Sequence, residues 1–163
     1  MIIGGQAVLF YGEPRFTKDI DITLGIGVQE LFKIEQVLNK LYLSIRVKNY
    51  KEFAKQTMVI PCIDKKSSIE VDFIFSLSEY ERQAIKKAKN VKFGKTTVKI
   101  ASLEDVIIHK IIAGRPRDIE DIKIMLIKNP KYNIKYIKQW LKKFDVALDQ
   151  NYQDTFAYII KNL

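Results

Sequence analysis

The hydrophobic positions of this chain change period several times, and each change marks an element. "DIDITLGI" (19–26) alternates acid or hydroxyl with Ile and Leu at period two, which predicts a strand with two unlike faces. "SIEVDFIF" (68–75) alternates in the same way and, with "TMVIPCI" (57–63) across the polar "DKKSS", predicts a hairpin. "VQELFKIEQVLNKLYL" (28–43) places apolar residues at 31, 34, 37/38 and 41, the spacing of an amphipathic helix. "MII" reads as a stub of strand, and "GGQAVLFYGE" as a short helix opened by glycines and ended at Pro14. "SEYERQAIKKAKN" predicts a helix with a Ser78/Glu81 capping box, and "VKFGKTTVKI" a small hairpin turning at Gly94-Lys95. Beyond Ser102 the pattern is helical throughout, in four stretches of which the first three are separated by Pro116 and Pro130. The expected class is α/β, a mixed sheet flanked by helices, with residues 1–100 as the core and 101–163 as a helical C-terminal extension packed on it.

Composition narrows the setting. A chain of 163 residues is long enough for one well-buried domain. The single Cys62 excludes an internal disulfide framework and suits a reducing compartment. No apolar run approaches the ~20 residues of a membrane span, and the first residues do not resemble a signal peptide. A cytoplasmic protein with no membrane partner is expected. The balance of 28 Lys+Arg against 19 Asp+Glu gives a net charge of +9, which attracts polyanions. Much of that excess is lysine interleaved with isoleucine, as on any solvated helix face.

The chemistry sits on the polar faces of the two acidic strands. Asp19, Asp21 and Thr23 share one face of the first, and Glu70, Asp72 and Ile74 one face of the second. Were the strands neighbours, Asp19, Asp21 and Asp72 would converge, an unfavourable arrangement unless a hard cation such as Mg²⁺ or Mn²⁺ offsets it. Two such ions are suited to phosphoryl or nucleotidyl transfer. A D-x-D pair on an exposed strand end also occurs without any metal. Gly4 and Gly5 open a helix whose backbone N–H groups can meet a phosphate, or else form a tight turn. Lys110 falls on an apolar stripe with Leu103, Val106 and Ile107, so it either snorkels past the core edge or points into a cleft. Asp118 and Asp121 suit a first-turn cap. His109, four residues after Asp105, is expected on the surface in a local charge pair. Trp140 and the tail tyrosines suit packing, or stacking on single-stranded nucleic acid.

The order strand stub, Gly-Gly, helix, Arg-x-Thr-x-Asp-x-Asp and a later acidic strand resembles the nucleotidyltransferase superfamily that includes DNA polymerase beta. In particular it resembles the branch of type IV abortive-infection toxins and their short stand-alone relatives. The matching stretches are "IIGGQAVLFYGEPRFTKDIDI", "IEVDFIF" and "SLEDVIIHKIIAGRPRDIEDI". The resemblance implies that Gly4 and Gly5 hold nucleotide phosphates and that Asp19 and Asp21 bind the metals. It implies that Asp72, with Glu70 as its rival, is the third carboxylate, a metal ligand or general base. It further implies that Lys110 contacts the triphosphate, that Asp118 stands in the final Arg-Asp-x-x-Asp pattern, and that Arg15 and Thr17 brace the loop before the aspartates. The implied partners are a nucleoside triphosphate, an RNA or tRNA acceptor and an antitoxin; the alternative is an inactive nucleotide- or RNA-binding module acting as antitoxin or regulator. Relatives usually carry a helix ahead of the Gly-Gly turn, whereas here three residues precede Gly4, and a homodimer partner covering the sheet is one expectation.

Overall fold

The computed structural model describes residues 1–14, 16–76 and 78–163. A four-stranded mixed sheet in the order β1-β4-β3-β2 is built from β1 (Asp19–Thr23), β2 (Ser44–Ile45), β3 (Val59–Asp64) and β4 (Ile69–Ile74). β1 and β4 run parallel, while β4, β3 and β2 are antiparallel neighbours. The parallel pair needs a crossover. That connection holds a 3₁₀ turn (Val28–Glu30), α2 (Leu31–Leu41) and α3 (Tyr50–Thr57), besides β2 and β3. Ile20 and Ile22 on the back of β1 join Ile34 and Leu38 of α2 and Val71 and Phe73 of β4 in one apolar cluster.

The polar face of β1 looks the other way, toward α1 (Gly4–Tyr11) and the C-terminal helices α5 (Leu103–Ala113), α6 (Pro116–Lys128), α7 (Ile134–Leu148) and α8 (Tyr152–Lys161). A second cluster fills that side: Ala7 and Val8 of α1 meet Ile107, Ile108 and Ile111 of α5, Ile122 and Met125 of α6, and Ile137, Leu141, Phe156 and Ile159 beyond. Each of the larger apolar side chains among them contributes about 1.5–3 kcal/mol on burial. α4 (Glu79–Lys87) starts on the expected capping box, with Ser78 and Glu81 exchanging side-chain and backbone bonds. It leads into the hairpin of β5 (Lys89–Phe93) and β6 (Thr96–Ile100), which turns at Gly94-Lys95 as predicted. Ile2 bridges both Ile22 of β1 and Ile100 of β6, so the strand stub joins the hairpin to the sheet.

One expectation needs correction and one alternative is decided. His109 does not sit on the surface beside Asp105. Its Nε2 is buried without a hydrogen-bond partner, its ring lies 5.5 Å from that of Tyr80, and burial holds its pKa below the usual value. Asp105 instead accepts bonds from Ser102 Oγ (2.5 Å) and Tyr136 Oη (2.9 Å). Trp140 and Tyr136 are buried, packed with Tyr80, Phe144 and each other, and Trp140 is therefore a core residue instead of a stacking platform. Among the described residues no helix is long and apolar enough to cross a membrane.

Candidate active site

The register of the parallel strands decides which acids meet. Asp21 lies directly opposite Asp72, and Asp19 opposite Glu70. Asp19, Asp21 and Asp72 line one cleft of about 570 Å³ together with Gly4, Gly5, Thr17, Lys110 and Asp118. Glu70 is drawn off by Arg46, whose Nη1 is 2.8 Å from its Oε2, and does not line the cleft. Arg15 lies outside the described residues. Thr17 Oγ1 accepts from Gln6 Nε2 at 2.6 Å, which ties the loop before β1 to α1.

Gly4 has a steric role here. Gly4 has φ +60, and a Cβ on it would overlap Asp21 Oδ2. Only a residue without a side chain lets α1 begin against the carboxylate. The N-cap residue, Ile3, offers no side-chain acceptor to the first turn, so no side chain at that position competes for N–H groups at this helix start. Ile3 N–H is itself bonded to the Asp21 carbonyl at 3.0 Å, which fixes the start of α1 to β1.

Electrostatically the cleft is divided. On the strand side, burial raises the Asp21 pKa to about 6, with Asp19 and Asp72 adding repulsion and Arg115 and Lys110 opposing it. Burial also raises Asp72; Arg46 pulls it down, and Asp19 and Glu70 push it up. On the helix side Lys110 is only 5% exposed. Its Nζ lies 2.5 Å from Asp118 Oδ1 and 2.8 Å from Asp121 Oδ2. Lys110 thus points inward and does not snorkel. Asp118 also binds Arg115, accepting from Nε at 2.7 Å and from the backbone N–H at 3.3 Å, and so secures the turn into α6 after Gly114. Burial works against the Asp118 charge, but the bonds from Arg115 and Lys110 hold its pKa below the ordinary value. Phe16, Lys18, Arg115 and Arg117 also line the cleft and were not singled out from sequence for binding: the first three lie in loops or at a cap, where periodicity is silent, and Arg117 sits in the first turn of α6 within the Arg-Asp-x-x-Asp pattern.

The strand-side donors suit a hard divalent cation. They are all carboxylate oxygens, and Asp72 Oδ1 is buried with no hydrogen-bond partner. Among the described residues no group of three or more His, Cys, Asp or Glu side chains forms a ready metal cage. Mg²⁺ is commonly held by one or two carboxylates and completed by substrate phosphates and water.

The comparisons with known proteins follow the same line. Among solved structures, an antigenic nucleotidyltransferase-like protein from Paracoccidioides brasiliensis superposes with a TM-score of 0.52 at 18% identity, over 77% of this chain and 66% of that one. This likeness concerns the fold, and the chain spans just under two thirds of that neighbour's length. No curated protein sequence matches significantly. The sequence profile described as "Nucleotidyl transferase AbiEii toxin, Type IV TA system" matches residues 3–157, from the Gly-Gly turn through the acidic strands and into the last helix. The alignment of Asp21 with Asp72 behind Gly4 thus has a family context: the chain belongs to the AbiEii nucleotidyl transferase toxin family of type IV toxin–antitoxin systems.

Proposed function

We propose that this protein transfers a nucleoside monophosphate from a nucleoside triphosphate to a hydroxyl acceptor, with release of pyrophosphate. The observation that carries the reading is the register pair Asp21 and Asp72 beside Asp19, opposite a helix start bare of side chains. The acceptor oxygen attacks the α-phosphorus, the bond from that phosphorus to the pyrophosphate oxygen breaks, and the acceptor proton passes to Asp72. A carboxylate with a raised pKa and an unpartnered oxygen is suited to take it. Gly4 and Gly5 admit the phosphates close to the backbone. Arg115 and Arg117 line the same cleft and can meet phosphate charge there. Asp19, Asp21 and Asp72 would hold one or two Mg²⁺ or Mn²⁺ ions, which when bound neutralise phosphate charge and acidify the acceptor hydroxyl. In this reading Lys110 orients the Asp118–Arg115 turn as well as adding positive potential, since two carboxylates already claim its ammonium. The acceptor is an RNA end, in keeping with the net charge of +9, and the family points to an antitoxin as regulatory partner.

The test is incubation with each α-labelled triphosphate, Mg²⁺ or Mn²⁺ and total RNA, followed by denaturing separation. Label attached covalently to RNA is the expected result, lost in Asp21→Asn and Asp72→Asn variants of unchanged circular dichroism. Full transfer by Asp21→Asn would overturn the mechanism.

A further inference from the structure

Residues 86–101 contain six lysines, at 86, 87, 89, 92, 95 and 99, and no acidic residue. They cover the end of α4 and the β5–β6 ribbon. In the ribbon, Lys92 pairs with Thr97 and Lys99 with Asn90, so these four side chains share one face, while Val91, Val98, Phe93 and Thr96 share the other. Lys92, Lys95 and Lys99 are exposed, and among the described residues no ion pair neutralises them. Phe93, beside the turn, is 73% exposed, and Phe16 at the cleft is 79% exposed. A mostly apolar groove of about 360 Å³ lies under the ribbon, lined by Gln6, Ile20, Phe93, Thr96 and Val98 among others. Gln6 donates to Thr17, which lines the cleft beside Phe16, so one hydrogen bond links the lining of the groove to that of the cleft. The ribbon is also fixed in place: Ile2 N–H donates to Lys99 O at 2.7 Å, Ala101 N–H to Ile2 O at 2.9 Å, and Ile2 bridges to β1.

We infer that the β5–β6 ribbon, with Phe93 and Phe16, is a track for single-stranded nucleic acid that leads a terminal hydroxyl into the cleft. The inference rests on the transferase reading above and supplies its acceptor surface. Unneutralised lysines on one face of the strand pair and at its turn attract a phosphate backbone, and a nucleic-acid strand that crosses the turn at Lys95 reaches Phe93 and the groove on the other face. Exposed aromatic rings beside an apolar groove accept unpaired bases, whose faces a duplex hides. An acidic protein would satisfy the lysines and leave the two rings and the groove without a role.

Fluorescence anisotropy of the full chain with a labelled RNA strand of about twelve nucleotides, within the usual span of single-strand sites, tests this without triphosphate or metal. Removing Lys92, Lys95 and Lys99 together as alanines should make the slope of log affinity against log salt shallower by about 2, at roughly 0.7 per lost phosphate contact. Phe93→Ala should weaken binding about tenfold, the effect of one lost stack, with the slope unchanged. Replacing Lys40, Lys48 and Lys55, three exposed lysines around α2 and α3, removes equal charge and should leave affinity within about twofold. Equal losses in the two triple variants, tighter binding of a duplex of the same length, or equally effective competition by polyglutamate would overturn the track. Its failure leaves the transfer reaction standing. An intact track in a protein that never labels any acceptor would instead sink the transferase reading alone.

Discussion

Gly4 and Asp21 are packed so closely that a Cβ on Gly4 would overlap the carboxylate, 2.8 Å from Asp21 Cγ. The start of α1 and the acid it faces are therefore one steric unit. Gly4→Ala adds a methyl there and forces it into a left-handed conformation, a strain of about 1–3 kcal/mol. The variant should fold, melt lower, and bind Mn²⁺ and triphosphate more weakly, as read by calorimetric titration. Unaltered Mn²⁺ affinity would mean that Asp21 had moved without consequence.

Asp21 also carries a pH signature. Its carboxyl is raised from 3.8 to about 6, chiefly by burial and then by Asp19 and Asp72. The folded state therefore holds the proton more tightly than the unfolded chain does. This protonation-linked stability is complete below about pH 4 and lost as pH rises through about 6. Asp21→Asn removes the penalty. Allowing for solvent screening of a group that is not fully buried, the metal-free variant should gain about 1–2 kcal/mol at pH 7.5, roughly 2–8 °C in Tm, and nothing at pH 4. Melting curves at both pH values, in chelator, give the comparison; a destabilised variant at pH 7.5 would contradict it.

Lys110 stands between two buried carboxylates. Lys110→Met leaves Asp118 and Asp121 facing each other without their cation, at a cost of about 3–5 kcal/mol, or roughly 6–20 °C in Tm. Adding Asp118→Asn and Asp121→Asn to that variant should restore most of the Tm without restoring transfer. A single Lys110→Met variant as stable as the parent would show that the cluster is not held as described.

Arg115 acts on both halves of the cleft. It binds Asp118 directly, and its charge lowers the Asp21 pKa. Arg115→Ala should therefore move the Asp21 carboxyl resonance, followed by ¹³C NMR in the metal-free protein, to a titration midpoint above about 6. Arg115→Lys keeps the charge but not the forked geometry, and should recover the midpoint better than the turn into α6. A midpoint indifferent to both changes would remove Arg115 from the electrostatics of the site.

The acidic strands were legible because period-two alternation fixes which side chains share a face, and the register then brings Asp21 to Asp72. The rivalry between Asp72 and Glu70 was not legible: it depends on Arg46, next to the two-residue β2, which no pattern announces. α3 escaped because it is only eight residues long and Ala54 is its one buried residue, so its apolar face is short and shallow. His109 misled because α5 is central. Leu103, Asp105, Val106, Ile107, Ile108, Lys110 and Ile111 are all buried, so a polar i,i+4 pair on that helix does not mark a solvent face. The same centrality explains why Lys110, on a stripe that left snorkelling open, turned inward to partners eight and eleven residues on.

β1 and β4 stand side by side although some fifty residues of chain separate Asp21 from Asp72. The helix wall of the cleft arrives later still, with Lys110 and Asp118. A polypeptide emerging from the ribosome accordingly has no half-built cleft to expose: the acids stay scattered until the crossover has docked and the later helices have emerged. Completion of the cleft is thus tied to synthesis of the helical segment that follows the sheet.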